Sequence, residues 1–309
     1  MKDILVLGGA GYIGSHIIKK LLINNFNPII VDNLSTGNIK NLIVKDFYQA
    51  DIADKFALNN IFKKHKIQAV IHLALSSNTD ESIKNPQKYY DNITNTLNIL
   101  NCMLANNVKN IIFASSGKIY GTPTYLPIDE QHPKSPITPI GKINLSIENI
   151  LEDYEKAYNL KFICLRLFNV AGLDKSRKLK NNKNNLINNA LKCASGEIDF
   201  LKIYGNGESV RNYTHVEDIA DAHVLALKKL LETKQSYKIN LGSNCIASIN
   251  QIIKIIEKLT EKEIPILYTK QRPFDYENVI VSNNYAQDEL FWFPKYSKIE
   301  DIIKTELIN

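Results

Sequence analysis

The sequence predicts an α/β protein in which helices cover both faces of a parallel sheet. Three observations support this fold class. Short β-branched runs alternate with amphipathic segments of helical spacing, a glycine-rich turn directly follows the first apolar run, and the alternation stops after about residue 169. Strands that alternate with helices of this length form βαβ units, and βαβ units build parallel sheets.

The elements are predicted in chain order as follows. Strands are expected at 4–7, 28–31, 69–72, 110–114 and 162–165, and helices at 15–24, 58–64, 86–106 and 139–158. A polar, basic loop at 174–185 is followed by helices at 186–195, 216–231 and 249–259 and by extended segments at 198–204 and 264–268. We therefore divide the 309 residues into a domain at 1–168 and a smaller, interleaved α/β part at 169–309, some segments of which return to the first domain.

Composition excludes several classes of protein. The hydrophobic content of 44% and charged content of 23% are ordinary for a globular chain, and the net charge of +6 is spread without the Lys/Arg block of a nucleic-acid tail. No apolar run approaches the roughly 20 residues of a membrane span, and the apolar start is too short for a signal peptide. Four scattered cysteines favour a reduced, cytoplasmic protein.

The glycine-rich turn predicts a dinucleotide site. Gly8, Gly11 and Gly14 open a helix directly after a strand, so that backbone N–H groups and the positive end of the helix dipole face a pyrophosphate. Asp32 ends the second strand, where its carboxylate binds ribose hydroxyls and repels a 2′-phosphate, which favours NAD over NADP. The first domain is therefore of the Rossmann type; the alternative is that the glycines serve only a tight turn. The predicted cofactor-binding residues are Gly8, Gly11, Tyr12, Ile13, Gly14, Asp32, Asn33, Asp51, Ile52, Leu73 and Ala74.

Motifs along nearly the whole chain resemble one family. They are GGAGYIGSH (8–16), VDNLSTGN (31–38), VIHLA (70–74), ESIKNPQKYYDN (81–92), FASSGKIYG (113–121), LRLFNVAG (165–172), NNL (184–186) and VRNYTHVEDIADAHVLAL (210–227). The sequence resembles the extended short-chain dehydrogenases/reductases, specifically nucleotide-sugar epimerases of the UDP-glucose 4-epimerase type. The resemblance implies a bound NAD that takes hydride from the sugar C4 and returns it to the opposite face.

The resemblance also implies proton transfer by a Ser or Thr, a Tyr, and a Lys four residues after the Tyr. Ser116 corresponds to the Ser, but Ile140 stands at the Tyr position and Asn144 at the Lys position. An Ile side chain cannot accept a proton. Ser77, Ile93 and Ala114 are further departures, at positions where relatives usually have Lys, Asn and Ser.

Lys118 is the candidate replacement base. It follows Ser116 by two residues, at a position that faces the sugar in relatives, and burial beside a cationic nicotinamide would lower its pKa. The alternatives for Lys118 are a phosphate or sugar contact, or plain exposure. Lys142 lies about 200° around the helix from Ile140 and should face elsewhere, and Tyr120 is interpreted as structural.

By the same resemblance, the nucleotide-sugar site is better preserved. Arginine guanidinium groups match phosphate oxygens in geometry and charge. No histidine pairs with a nucleophile or shows metal-ligand spacing, so we predict no metal, and structural roles for His16, His72 and His215. The implied contacts are Asn169 with the diphosphate sugar, Asn185 and Leu186 with the phosphate and base region, Arg211 and Arg272 with the diphosphate, and Asp275 with a ribose hydroxyl.

The long helices at 86–106 and 141–158 resemble those that form a dimer seam in this family, so a homodimer is predicted. An apolar stripe on the second helix supports this prediction, although the stripe alternatively packs only on the sheet. Its members are Ile143, Ile147, Ile150, Leu151, Tyr154 and Ala157.

Three functions remain open from sequence. The first is an NAD-dependent UDP-sugar 4-epimerase with rearranged or weakened proton transfer. The second is a catalytically silent protein that binds NAD and nucleotide sugar, because loss of general acid–base groups typically costs ~10²–10⁴-fold in rate. The third is another nucleotide-sugar oxidoreductase; a dehydratase is disfavoured because residues 116–118 lack an acid pair.

Overall fold

The computed structural model describes residues 1–174, 176 and 185–307. Its strands are β1 (Lys2–Leu7), β2 (Phe26–Asp32), β3 (Phe47–Gln49), β4 (Ile67–His72), β5 (Asn110–Ser116), β6 (Lys161–Leu167), β7 (Asn169–Ala171), β8 (Leu201–Tyr204), β9 (Val210–His215), β10 (Tyr237–Leu241), β11 (Ile246–Ser248), β12 (Ile266–Thr269) and β13 (Asn278–Val279). Its helices are α1 (Tyr12–Ile23), α2 (Lys55–Lys64), α3 (Thr79–Lys84), α4 (Pro86–Ala105), α5 (Pro139–Tyr158), α6 (Leu186–Ala194), α7 (Val216–Thr233), α8 (Ile249–Thr260), α9 (Asn284–Leu290) and α10 (Ile299–Glu306).

Seven parallel strands form the main sheet in the order β10-β6-β5-β4-β1-β2-β3. The chain first builds outward from β1 through β2 to β3, and then builds the other half from β4 to β10. The direction therefore reverses between β1 and β4, and in open α/β sheets ligands bind beyond the carboxyl ends of the strands at such a point. The predicted Rossmann-type α/β fold is confirmed.

Both faces of the sheet are buried, as the continuous apolar runs of its strands require. Along β1, Leu5 and Leu7 join a core with α2, α4 and α5, whereas Ile4 and Val6 join a second core with α1 and α7. Successive side chains of a strand point to opposite faces, so one short strand contributes to both cores. A third core lies under α6, α8 and α10, in the part of the chain beyond β7.

The strand β10 and the small sheet around β9, both in the second half of the chain, were not predicted from sequence. β10 completes the main sheet by pairing with β6, and β9 pairs with β7, β11 and β13 in a smaller sheet. The segment Tyr237–Leu241 alternates polar and apolar residues over only five positions, which is too short a signal to identify alone. The predicted loop at 174–185 lies mostly outside the described residues.

The apolar stripe on α5 divides between two environments. Ile143, Ile147 and Leu151 are at most 1% exposed and belong to the core under the sheet. Ile150 and Tyr154 are partly buried, and the Tyr154 hydroxyl donates to Asn101 Oδ1 on the neighbouring α4 at 3.2 Å. Half of the stripe therefore packs within one chain.

Candidate active site

The glycine-rich turn is held by close backbone contacts. Gly8 has φ +81°, and a Cβ there would lie 2.9 Å from the backbone nitrogen of Ala74, which follows β4. A Cβ on Gly14 would lie 2.4 Å from the Gly8 carbonyl oxygen. Gly11 begins α1 without a side-chain cap, so the first turn of the helix presents backbone N–H groups at the switch point of the sheet. The turn therefore has the shape of a cradle for a pyrophosphate.

Asp32 organises the adenosine side of this turn. Its carboxylate accepts hydrogen bonds from the backbone nitrogens of Ala10 at 2.9 Å and Leu34 at 2.8 Å, which fixes it beside the glycine turn. Asn33 Nδ2 donates to Asp51 Oδ2 at 2.7 Å, and Ile52 next to it is 8% exposed. The structure thus brings the predicted adenosine contacts together along one edge of the sheet.

Ser116 and Asn144 lie at two of the positions that the resemblance assigns to proton transfer, a region that we call the reaction end. Ser116 ends β5, and its Oγ accepts a hydrogen bond from the Lys118 backbone nitrogen at 3.2 Å. Asn144 is 4% exposed, and its Nδ2 donates to the Ile140 carbonyl oxygen at 2.8 Å. Its Oδ1 has no hydrogen-bond partner in the described part of the chain. Because buried amide oxygens nearly always accept a hydrogen bond, this oxygen is suited to a ligand that donates one, such as a ribose hydroxyl.

Ile140 places an apolar side chain next to Asn144 on α5. Its side chain is 4% exposed and packs in the core of α5, one turn before Asn144. Lys142 is exposed, as the helix geometry predicted. Neither residue supplies a titratable group to the position that the sequence resemblance assigns to a tyrosine.

The side chain of Lys118 turns towards α3. Its Nζ donates a hydrogen bond to Thr79 Oγ1, and its side chain is largely removed from solvent. Burial, together with the nearby guanidinium of Arg272, lowers the pKa of the Lys118 ammonium. The carboxylates of Asp275 and Asp80 oppose this shift in the pKa but do not reverse it. Lys118 is therefore a partly dehydrated amine whose hydrogen-bond partner is a neutral hydroxyl.

Thr79 and Asp80 were missed by sequence reasoning because α3 was not predicted. The sequence did carry a signal for this helix: Asn78 is followed three residues later by Glu81, a spacing typical of a helix N-terminus. In the structure the Asn78 side chain caps α3 by accepting from the Glu81 backbone nitrogen at 3.1 Å. A six-residue helix lies below the length at which periodicity is informative.

Arg272 is held by two carboxylates. Its Nε and Nη2 donate to Asp275 at 2.8 and 2.9 Å, and its Nη1 donates to both oxygens of Asp80 at 3.1 and 3.0 Å. Its guanidinium also lies over the Tyr204 ring, 4.3 Å from the centroid. Arg272 and Asp275, predicted to contact diphosphate and ribose, thus bind each other in this structure.

Arg211 differs because it has no ion pair with a described residue. It donates instead to the backbone oxygens of Val210 at 2.8 Å, Glu277 at 2.9 Å and Tyr276 at 2.5 Å. Burial lowers the pKa of this guanidinium. A partly buried cation without a carboxylate partner among the described residues favours an anionic ligand.

The other predicted substrate residues have local roles in this structure. Asn169 Nδ2 donates to the Asn212 carbonyl oxygen at 3.1 Å, next to β9. Asn185 caps α6 by accepting from the Asn188 backbone nitrogen at 2.8 Å, while Leu186 packs against the third core. The Nδ2 of Asn185 is buried without a partner among the described residues.

A buried ionic network lies behind Ser116, and the sequence did not reveal it. Arg166 and Glu148 are at most 1% exposed and form two hydrogen bonds, of 3.0 and 2.7 Å. Ser115 Oγ donates to Glu148 at 2.6 Å, and Arg166 donates to the Tyr120 hydroxyl at 2.7 Å. Burial raises the pKa of Tyr120. Its hydroxyl also donates to Asn240 Oδ1 at 2.7 Å, so these contacts support the interpretation of Tyr120 as structural.

The histidines have structural positions as well. His16 accepts from the Asp174 backbone nitrogen at 3.2 Å, and His215 caps α7 by accepting from the Glu217 nitrogen at 3.1 Å. His72 lies 3.1 Å from Thr96 Oγ1, and burial lowers its pKa to about 3. Within residues 1–174, 176 and 185–307 no cluster of His, Cys, Asp and Glu has the arrangement of a metal site. Over the same residues no helix combines the length and apolar character needed to span a bilayer.

Comparison with known proteins agrees with this geometry. Residues 4–242 match the model of the NAD dependent epimerase/dehydratase family. The chain is 39% identical to UDP-glucose 4-epimerase of Lacticaseibacillus casei over 98% of this chain and 95% of that protein. It superposes on the UDP-glucose 4-epimerase of Brucella ovis in complex with NAD with a TM-score of 0.94, at 36% identity over 99% of this chain and 97% of that one.

A second solved structure carries both a dinucleotide and a nucleotide. The UDP-glucose 4-epimerase of Bifidobacterium longum in complex with NAD+ and UDP has a TM-score of 0.93 and 32% identity, over 99% of this chain and 97% of that one. The resemblance stated from sequence motifs is confirmed across nearly the full length. This chain belongs to the NAD dependent epimerase/dehydratase family.

Proposed function

We propose that this protein is an NAD-dependent nucleotide-sugar 4-epimerase of the UDP-glucose type in which Lys118 replaces the usual tyrosine as proton acceptor. One observation carries the proposal. The two positions that the resemblance assigns to the proton-transferring Tyr and Lys hold Ile140 and Asn144, while a partly dehydrated lysine lies two residues from Ser116. The alternative of a silent binding protein rests on the same two replacements.

The residues of the first domain fit a bound NAD. The turn at Gly8, Gly11 and Gly14, with Tyr12 and Ile13, would hold the pyrophosphate, and Asp32 would hold the adenosine ribose. Asn144 would accept a hydrogen bond from the second ribose through its unpaired Oδ1. The adenine would lie near Asn33, Asp51 and Ile52, and Leu73 and Ala74 would line the other side of the turn. When bound, NAD takes hydride from the sugar C4 and returns it to the opposite face.

Lys118 performs the proton transfer in this proposal. In its neutral form Nζ accepts the proton of the sugar 4-hydroxyl and gives it back after the ketone has turned over in the pocket. The hydroxyl of Ser116 donates to the same sugar oxygen and keeps it aligned. Ile140 excludes water from the reaction end, which keeps the amine dehydrated.

The nucleotide sugar would bind in the second part, residues 169–309. Arg211 would offer the diphosphate a guanidinium that has no carboxylate partner among the described residues, and Arg272 would join it once Asp80 is displaced. Asp275 would then bind a ribose hydroxyl. Asn169, Asn185 and Leu186 would line the sugar, phosphate and base positions. Uridine as the base follows from the relatives named above.

A homodimer through α4 and α5 belongs to the same proposal. Tyr90 and Tyr158 are 43% and 50% exposed on these helices, and Ile93 and Ile150 are only partly buried. An apolar strip of this kind on two adjacent helices suits a four-helix seam between two copies. Cytoplasmic location remains a prediction from the cysteine content.

The test combines cofactor content with turnover. Purified protein should release NAD on denaturation and should interconvert UDP-glucose and UDP-galactose. Replacement Lys118→Met should lower kcat by at least ~10²-fold without loss of NAD, because a general base is removed. Lys142→Met, an exposed lysine on α5, is the matched control and should leave kcat unchanged.

Each failure has a separate meaning. Protein that neither contains nor takes up NAD contradicts the proposal as a whole. Protein that binds NAD and UDP but shows no turnover supports the silent binding protein. Turnover that survives Lys118→Met removes Lys118 as the base.

A further inference from the structure

Lys118 has an unusual partner for a buried lysine. Its Nζ donates to the hydroxyl of Thr79, the first residue of α3, and no carboxylate lies within ion-pair distance of it in the described part of the chain. The two acids that interact with it electrostatically, Asp80 and Asp275, are both bonded to Arg272. Both carboxylates are therefore hydrogen-bonded to the Arg272 guanidinium rather than to the Lys118 amine.

The type of partner decides whether a lysine can change its protonation state. A carboxylate beside Nζ stabilises the ammonium and would keep the proton there. A hydroxyl accepts a hydrogen bond from the ammonium and donates one to the lone pair of the neutral amine, so it remains bonded in both states. Thr79 therefore holds Nζ in one place and stabilises the ammonium less than a carboxylate would.

Thr79 is held by contacts within α3 and by contacts between α3 and α4. Ser82 Oγ donates to the Thr79 carbonyl oxygen at 2.7 Å, and the side chain of Asn78 caps the helix. Glu81 accepts from Tyr89 at 2.8 Å and from Lys88, which ties α3 to α4. α3 and the turn at Gly117–Tyr120 both pack against α5, so Thr79, Lys118 and Ile140 lie on elements that converge at the reaction end.

We propose that Thr79 is a positioning residue, which holds the Lys118 amine in place for proton transfer and keeps it free to release and regain a proton. The proposal rests on the function proposed above. The proposal extends that function by assigning a role to α3, a segment outside the family's proton-transfer motif. It also explains why the nearby Asp80 and Asp275 do not form an ion pair with Lys118. The group transferred is one proton, from the sugar hydroxyl to Nζ and back, while NAD takes and returns the hydride.

Three substitutions at one position test the proposal. Thr79→Ser keeps the hydroxyl, Thr79→Val keeps the shape and removes it, and Thr79→Asp supplies the carboxylate that the natural site avoids. The protonation of Lys118 is followed by labelling with trace acetic anhydride over a range of pH, with the Lys118 and Lys142 peptides quantified by mass spectrometry. Only the neutral amine reacts, so the midpoint of labelling reports the pKa of each lysine directly.

The expected shifts have opposite signs. In Thr79→Val the ammonium loses a charge-assisted hydrogen bond, so the Lys118 midpoint should move to lower pH by about one unit. In Thr79→Asp the ammonium gains an anionic partner, so the midpoint should move to higher pH by about one unit or more. Thr79→Ser should match the natural protein, and the Lys142 midpoint should stay constant throughout. An unchanged Lys118 midpoint in both Val and Asp variants would overturn the proposal.

Turnover gives the second readout. Thr79→Val should lower kcat by about tenfold or more with KM changed less than twofold, and Thr79→Ser should restore kcat. The acid limb of the kcat profile should move with the labelling midpoint. A fall in melting temperature with an unshifted acid limb would mean that Thr79 serves only packing, and would contradict the proposal. Because labelling needs no turnover, an inactive protein with shifted midpoints rejects the proposed function alone.

Discussion

The cofactor turn and the proton-transfer region lie at neighbouring strand ends, yet they differ in how closely they follow the family. In the turn, a Cβ on Gly8 or Gly14 would lie 2.9 or 2.4 Å from backbone atoms, so these two positions exclude a side chain. In the second region, Ile140 and Asn144 lie at the two positions that the sequence resemblance assigns to proton transfer, within an intact helix and core. The proposal above therefore combines a retained backbone geometry for a dinucleotide with changed titratable groups. If it holds, the fold and the cofactor site persist independently of the catalytic side chains.

The sharpest way to break this comparison is to restore the usual pair. The double replacement Ile140→Tyr with Asn144→Lys should raise kcat for UDP-galactose. The gain should be smaller than the ~10²–10⁴-fold that general acid–base groups typically contribute, because Lys118 already supplies part of that contribution. Initial rates and NAD content are measured on the same preparations. In this restored background Lys118→Met should have little effect on kcat, although in the natural chain it should lower kcat by at least ~10²-fold.

Two outcomes would contradict that expectation. An unchanged kcat in a restored variant that still holds NAD would show that the sugar pocket has diverged along with the motif. Equal sensitivity to Lys118→Met in both backgrounds would show that Lys118 contacts the substrate rather than acting as base.

The second prediction concerns the cofactor turn. Gly14→Ala places a Cβ 2.4 Å from the Gly8 carbonyl oxygen, and such overpacking against backbone typically costs about 1–3 kcal/mol. Because the displaced atoms form the pyrophosphate cradle, NAD affinity should fall by about 10–100-fold. NAD content after dialysis and a fluorescence titration measure the loss.

Gly196→Ala is the matched control for that variant. Gly196 has φ +79° and no neighbouring atom within 4 Å of a Cβ, so alanine there strains the backbone far from the turn. It should lower the melting temperature and leave NAD binding unchanged. Equal loss of NAD in both variants would indicate general destabilisation and remove the cradle argument.

The sequence predicted most of what depends on local pattern and backbone chemistry. The strands before Gly8 and Asp32 and the long helix at Pro139–Tyr158 were predicted because glycine spacing, β-branched runs and helical periodicity are local signals. The pairing of Thr79 with Lys118 and of Asp80 with Arg272 joins residues 39 and 192 positions apart. Such contacts depend on how the segments between them fold, so neither composition nor spacing reveals them. The strand at Tyr237–Leu241 was missed for the related reason that only its pairing with β6 identifies it.

The smallest predicted effect concerns the carboxylate of Asp80, which competes with a diphosphate for Arg272. The Asp80 and Arg272 side chains are 49% and 31% exposed, and an ion pair of this exposure contributes at most about 1 kcal/mol. Asp80→Asn should therefore tighten UDP binding by up to about fivefold, measured by calorimetry, with the gain shrinking at high salt. Asp153→Asn removes an equal charge from an exposed site on α5, and should leave the affinity unchanged. Weaker binding in Asp80→Asn would mean that Asp80 instead holds Arg272 in position for the nucleotide, so that the pair is part of the binding site rather than its competitor.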